Sequence, residues 1–333
     1  MNRKVLLLLS GGLDSTLSLK LLQEQNCEVE AVNFKTIFCR CSKNGCISEA
    51  KKVTDKAGVK LHVYNITNDF LPIVLKPPHG YGSNMNPCID CRILMYKKAK
   101  EIMDKIGADF IATGEVIGQR PMSQNINAIN IIEKESLLKG KVLRPLSEIG
   151  IHGRSRKKQI ELAGEKGVSD YPCPAGGCLL TEPAFAKRLR DLINNNGTGI
   201  CIADVLLLKI GRHFRISSNF KLVVGRNEDE NKRLKNLVSD EDILLEVEEY
   251  VGPVGLIRTS KSGTQQGWVV SHFEGAVPIL ETELKTSASI VARYSDAPKD
   301  NNIKVNIRKY STNDTYNINV NSIDEKLLKN FIV

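Results

Sequence analysis

Hydrophobic and polar positions alternate along the first half of this chain in a way that predicts strands and helices in turn. Residues 5–9 form a continuous apolar run, the mark of a strand buried on both faces. A helix follows, with Leu13, Leu17 and Leu21 on one face. Residues 28–34 alternate into a second strand, 48–57 read as a helix and 60–66 as a third strand. Residues 89–106 predict a long amphipathic helix with Ile93, Met95, Ala99, Ile102 and Ile106 inward and Gly107 as its stop. Short strands are expected at 109–113 and 141–146. Strands alternating with helices define an α/β, doubly wound, mostly parallel sheet. Ligands of such sheets bind beyond the carboxyl ends of the strands. The turn at Ser10, the end at Phe34 and the end at Thr113-Gly114-Glu115 should therefore meet in one crevice.

The pattern changes further on. Residues 182–194 predict a connecting helix, and 194–199 are rich in Asn and Gly, as a linker is. Beyond it come short β-prone segments at 221–224, 243–247, 267–270 and 304–309, with a helix expected at 286–295. The expected division is a first domain over 1–195 and a smaller α+β domain over 196–333. No internal repeat is visible.

Composition narrows the class. The 333 residues are 41% hydrophobic and 26% charged, as in ordinary globular proteins. No apolar run could span a bilayer, and the run at 5–9 is too short for a signal-peptide core, so a cytoplasmic protein without a membrane partner is expected. The net charge of +9 sits entirely in the first 195 residues, which carry 29 Lys/Arg against 20 Asp/Glu, while the remainder has 18 of each. That excess suits a polyanion lying across the first domain. Nine cysteines in a reducing compartment point to metal or redox chemistry rather than to disulfides. They group as Cys39, Cys41 and Cys46; Cys88 and Cys91; Cys173 and Cys178. Cys27 and Cys201 stand apart and read as small buried residues.

The sharpest motif joins the first strand to the first helix: Ser10-Gly11-Gly12-Leu13-Asp14-Ser15. A Gly-rich turn before a helix N-terminus aims several N–H groups at an anion, and the helix dipole favours negative charge there. The lysine of a Walker A loop is missing. The order of residues resembles the pyrophosphate loop of N-type ATP pyrophosphatases. That resemblance implies that Ser10, Gly11, Gly12 and Ser15 cradle the phosphates of ATP, that Asp14 faces Mg2+, and that ATP is split to AMP and pyrophosphate while a substrate oxygen is adenylated. Thr113 and Gly114 are the expected contribution of a neighbouring strand end to the same nucleotide.

Cys88-Ile-Asp-Cys91 opens the long helix, where the dipole should stabilise a thiolate. A Cys-x-x-Cys in this place is a metal clip or a redox pair. Cys178, after Gly176 and Gly177, is the candidate third thiol, and three thiolates can hold a [4Fe-4S] cluster with one iron open. With the stretches 76–91, 112–124, 143–146, 153–157 and 174–181, the first 195 residues resemble the tRNA 2-thiouridine synthases. The resemblance implies an ATP-dependent tRNA sulfurtransferase, in which a tRNA base carbonyl is adenylated and sulfur from sulfide or a persulfide carrier displaces AMP. Catalytic weight then falls on Asp14, Cys88, Cys91 and Cys178. The second cysteine of the pair favours a cluster or a disulfide pair over a single persulfide. Cys39, Cys41 and Cys46 could bind zinc or iron, relay sulfur, or be plain thiols of a loop, and Cys173 is a candidate fourth thiolate. Gln119 and Arg120 are expected to face substrate, Arg154, Arg156, Lys157 and Lys158 to suit an RNA backbone, and His62 to be structural. His79 and His152 carry no assignment.

Residues 201–260 resemble the RNA-binding domain that ends the NFACT proteins, through Gly211, Arg212, His213, Gly225, Arg226 and Asn227. This domain offers Lys209, Arg212, Arg215, Lys221 and Arg226 for phosphates and Phe214 and Phe220 for stacking, while the acidic stretch 241–249 restricts RNA to one face. Two other readings remain: another adenylating enzyme of amidotransferase or lysidine-ligase type, and an RNA-binding sulfur sensor without catalysis. The intact loop from Ser10 to Ser15 favours an enzyme.

Overall fold

A computed structural model describes residues 3–40, 45–169, 171, 177–197, 199–259, 278–298, 302–310 and 312–333, with the side chains of 45, 46 and 278–280 excepted. The chain divides into two compact units, Met1–Pro183 and Ala184–Val333. The expected sheet strand at 267–270 lies outside the described residues.

The first unit runs β1 (Lys4–Leu8), α1 (Leu13–Glu24), β2 (Glu28–Lys35), α2 (Gly45–Ala57), β3 (Lys60–Asn65), α3 (Thr67–Leu75), α4 (Cys88–Ile106), β4 (Phe110–Thr113), α5 (Ile126–Glu135), β5 (Val142–Leu143), α6 (Pro145–Glu148) and α7 (Lys157–Glu165). Its five strands are ordered β3-β2-β1-β4-β5 and every pair is parallel. Residues of β1 alternate between two cores. Leu6 packs with Val32 and Ile111 against Ile93, Tyr96 and Met103 of α4. Val5, Leu7 and Leu9 pack with Leu19 and Leu22 of α1 and Ala50 of α2. Burial on both faces is why this strand is apolar without interruption. The doubly wound α/β expectation is met. The strand expected at 141–146 shortens to two residues because Pro145 opens α6 instead, where its missing N–H costs nothing.

The register sets the site. Leu8 pairs with Val32 on one side and with Thr113 on the other. The carboxyl ends of three strands therefore lie level, and the loops leaving them open at one edge.

The second unit holds α8 (Pro183–Asn196), α9 (Ile202–Leu207), β6 (Arg212–Arg215), β7 (Phe220–Val224), α10 (Glu228–Lys235), β8 (Ile243–Val247), β9 (Gly255–Thr259), α11 (Pro278–Arg293), β10 (Ile303–Lys309), β11 (Thr315–Val320) and α12 (Glu325–Leu328). Its sheet is antiparallel throughout, in the order β11-β10-β8-β9-β7-β6, with α11 against the core. The division between units falls at Pro183, ahead of the glycine-rich stretch at 194–199. Helix α8 is tied to the second sheet by Asp191, which accepts from Arg215 at 2.8 and 2.9 Å and from Lys221 at 2.7 Å. The helix expected at 286–295 is the last part of the longer α11. No described helix is long and apolar enough to cross a membrane.

Candidate active site

The loop between β1 and α1 is built by sterics. Gly11 has φ +79°, and a Cβ there would lie 2.6 Å from the backbone of Glu49 and Ala50. No other residue fits both conditions. Ser10 Oγ lies 3.2 Å from Ser15 Oγ, and the hydroxyls of Ser15 and Thr16 donate to the Gly12 carbonyl at 2.9 and 3.1 Å. Gly12 caps α1 without a side-chain cap bond, so the first amides of the helix are open to a ligand. Asp14 Oδ2 accepts from Gln119 Nε2 at 3.2 Å, whereas Oδ1 is buried without a partner. A carboxylate oxygen left bare beside an anion-binding loop fits Mg2+. Thr113 Oγ1 accepts from the Glu115 amide at 3.1 Å and shapes the turn out of β4. Gly114 brings β4 against the loop itself.

Ser10, Gly12, Asp14, Ser15, Thr113 and Gly114 line a crevice of about 400 Å³. Leu8, Val32, Phe34 and Met95 give it an apolar wall, and Arg92, Arg120, Arg154 and Arg156 a cationic one. Asn33 and Gln124, 4% and 3% exposed, also line it. The Asn33 Nδ2 donates to the Leu9 carbonyl at 2.8 Å, which leaves Asn33 Oδ1 without a partner, as Gln124 Oε1 is. Sequence reasoning missed both. The signal for Asn33 is a polar residue between Val32 and Phe34 in a strand whose neighbours are apolar. Glu115 is buried and binds Arg92 at 3.0 Å, the Tyr96 hydroxyl at 2.6 Å and Arg144 at 3.6 Å, locking α4 to the end of β4.

Three stretches converge on the cysteines. Cys88 and Cys91 occupy the first turn of α4, where Cys91 N donates to Pro87 O at 2.8 Å. Between them, Asp90 accepts from the His79 amide at 3.1 Å and binds its Nδ1 at 2.7 Å. This contact raises the His79 pKa, with burial opposing, and assigns that histidine to holding the turn. Cys178 lies beside Cys39 in an antiparallel bridge. The segment after Cys178 is pinned by Met85 N to Leu180 O at 3.0 Å, by Asn84 Nδ2 to Thr181 O at 2.7 Å and by the Arg40–Glu182 ion pair at 2.7 Å. The structure thus pairs Cys39 with Cys178, and the charges of Cys39 and Cys88 act on both Cys91 and Cys178. Cys41, Cys173 and the side chain of Cys46 lie outside the described residues.

Burial overrides the helix dipole at these thiols. It pushes Cys91 and Cys178 each up to about 12. Cys88 is also raised by burial, with Arg92 and Arg120 pulling against it. Thiols this shielded stay protonated at neutral pH until a metal displaces the proton. Among the described residues no group of three or more His, Cys, Asp and Glu is placed to hold a metal ion. A cubane cluster asks for a wider set, because its thiolates sit on separate irons, and three half-buried soft donors fit it chemically.

Elsewhere, His62 binds Glu30 at 2.6 Å in a surface ion network, the structural role expected of it. The two aromatic residues expected to stack on RNA in the second unit need correction. Phe214 and Phe220 are 1% and 6% exposed and belong to the core, because β6 and β7 turn these positions inward. Arg215 and Lys221 bind Asp191, Arg226 binds Glu230, and Arg212 stacks on Tyr294 at 4.4 Å. Asn227 caps α10 and Glu230 accepts from the Gly211 amide at 3.2 Å. Gly211, Arg226 and Asn227 therefore hold this fold together.

A doubly wound α/β unit with this loop at the β1–α1 turn is a pyrophosphate-loop ATP pyrophosphatase fold. Residues 1–174 match the family described as Thiamine biosynthesis protein (ThiI), and the chain belongs to it. Residues 211–269 and 264–332 match the NFACT protein RNA binding domain. A tRNA-specific 2-thiouridylase of Sulfurimonas denitrificans is 39% identical over 121 residues, covering 35% of this chain and 36% of that protein. Another tRNA-specific 2-thiouridylase, from Natranaerobius thermophilus, is 23% identical over 241 residues, covering 64% and 65%. The chain thus spans between about a third and two thirds of the length of these relatives. A crystal structure of a 4-thiouridine synthetase–RNA complex with bound ATP aligns at 26% identity and a TM-score of 0.43, over 54% of this chain and 45% of that one.

Proposed function

We propose that this protein is an ATP-dependent tRNA sulfurtransferase that adenylates a base carbonyl of tRNA, uridine by preference, and replaces its oxygen with sulfur. The carrying observation is the place of Arg92 and Arg120. Both line the crevice that holds Asp14, and Arg92 stands one helical turn after Cys88 on α4, on the same face. One substrate can therefore engage the phosphate loop and the cysteine site together.

In this reading the open amides at the start of α1, with Ser10 and Ser15, hold the β- and γ-phosphates. Asp14 Oδ1 takes the magnesium that neutralises them. Asn33 Oδ1 accepts a ribose hydroxyl, being one hydrogen bond from Leu9 and so next to the loop, and the apolar wall covers the adenine. The base oxygen attacks the α-phosphorus, the new P–O bond forms and pyrophosphate departs. Sulfur then attacks the activated carbon, the C–O bond breaks, and AMP carries the oxygen away. Arg92 and Arg120 offset negative charge on the phosphoryl group and on the incoming sulfur. Cys88, Cys91 and Cys178 would hold a [4Fe-4S] cluster, which when bound supplies an iron without a protein thiolate for sulfide. The second unit would contribute RNA affinity.

The test is anaerobic turnover with ATP, a sulfur donor and unmodified tRNA, read as AMP and as thionucleoside in the digested tRNA. We expect both, about four irons per reconstituted chain, and loss of iron and thiolation when any of the three cysteines becomes Ser. ADP without AMP would overturn the adenylation step. Activity of an iron-free protein would favour persulfide relay through Cys88 and Cys91, with zinc at Cys39, Cys41 and Cys46.

A further inference from the structure

Cys39 and Cys178 stand directly opposite each other in an isolated antiparallel bridge. The adjacent bond runs from Leu179 N, one residue after Cys178, to Phe38 O, one residue before Cys39, at 2.8 Å. That pattern flanks a non-hydrogen-bonded pair, whose Cα atoms lie about 4.5 Å apart with both side chains on the same side. Disulfides bridge Cα separations of about 4.4–6.8 Å. Both thiols are free and half-buried. The backbone on either side is already fixed, by Arg40–Glu182 at 2.7 Å and by Met85 N to Leu180 O at 3.0 Å. The backbone pairing thus sets the two cysteines at a separation a disulfide spans.

We propose that Cys39 and Cys178 form a reversible disulfide, a modification site within the thiol group. A low-molecular-weight disulfide, RSSR, supplies the oxidising equivalents. The Cys39 thiolate attacks RSSR, forming a mixed disulfide and releasing RS⁻. The Cys178 thiol then attacks the Cys39 sulfur as its proton passes to the departing sulfur, the Cys39–Cys178 bond forms, and RSH leaves. Two protons pass to give two RSH, so two protein thiols are oxidised and one RSSR is reduced. A dithiol reverses the sequence. The consequence rests on the function proposed above: a Cys178 held in this bond cannot bind iron, so oxidation empties the sulfur-handling site while leaving Cys88 and Cys91 in place.

The experiment treats the full-length, metal-free protein anaerobically with oxidised glutathione and maps its peptides without reduction. The expected product is a Cys39–Cys178 linked peptide that dithiothreitol removes. Cys178→Ser should lack the link and instead carry glutathione on Cys39, with a circular dichroism spectrum like that of the parent protein. A dominant Cys88–Cys178 or Cys88–Cys91 link overturns the assignment. A parallel arm oxidises the iron-reconstituted protein. At least tenfold protection from cross-linking supports Cys178 as an iron ligand; undiminished cross-linking removes that ligand role and leaves the disulfide standing.

Discussion

A Cβ added to Gly114 would lie 2.5 Å from the amide nitrogen of Ser15. The end of β4 thus rests on the backbone of the phosphate loop, and glycine is what allows the approach. Gly114→Ala must push the first turn of α1 away. ATP affinity should fall at least tenfold, read by calorimetry, together with a lower melting temperature. Unchanged affinity would remove β4 from the nucleotide site.

Asp14→Asn separates the metal role from folding. Its Oδ1 has no protein partner and its Oδ2 has only Gln119. The amide variant should melt within a few degrees of the parent. AMP formation should drop at least a hundredfold and lose its dependence on added magnesium. Retained turnover would refute the metal assignment.

Asn33 offers an acceptor held in place by its own donor to Leu9. Losing a hydrogen bond to a ligand costs about 0.5–1.5 kcal/mol. Asn33→Leu should therefore weaken ATP several-fold and leave unaltered the binding of whichever deoxy analogue, 2′ or 3′, lacks the recognised hydroxyl. Equal losses for ATP and both analogues would place Asn33 away from the ribose.

Asp191 compensates Arg215 and the buried Lys221, whose pKa burial pulls down to about 8. Removing one partner of a buried pair costs about 3–5 kcal/mol. Asp191→Ala should lower the unfolding transition of the second unit in calorimetry and leave that of the first. A single shared shift would show that the two units unfold together. A chain ending at Pro183 should keep ATP binding and show lower tRNA affinity with a shallower salt dependence.

Glu30 gives the acid dependence of the first unit. Burial alone would raise its carboxyl, but the hydrogen bonds from Lys4 and His62 win and hold it at about 2. The stabilisation is complete above pH 4.5 and is lost as pH falls towards 2. Glu30→Gln should cost on the order of 1 kcal/mol at pH 7. The gap between variant and parent should close near pH 2 in denaturant titrations.

Periodicity and local chemistry settled much of this molecule without a structure. The apolar run of β1, the glycines at 11 and 12 and the long face of α4 specify strand, turn and helix by nearest-neighbour sterics, so the phosphate loop was legible from six consecutive residues. Cys88 and Cys91 were legible for the same reason, since one helical turn fixes their spacing. What only tertiary structure decided depends on strand register and on burial. Register sets Leu8 level with Val32 and Thr113 and so brings Asn33 and Gly114 to the loop. A bridge between distant segments set Cys39 opposite Cys178. Burial reversed the expected thiolate character of the cysteines and drew Phe214, Phe220 and Lys221 of the second unit inward. The sequence lists which side chains are charged, aromatic or nucleophilic; which of them face water is a property of the packed chain.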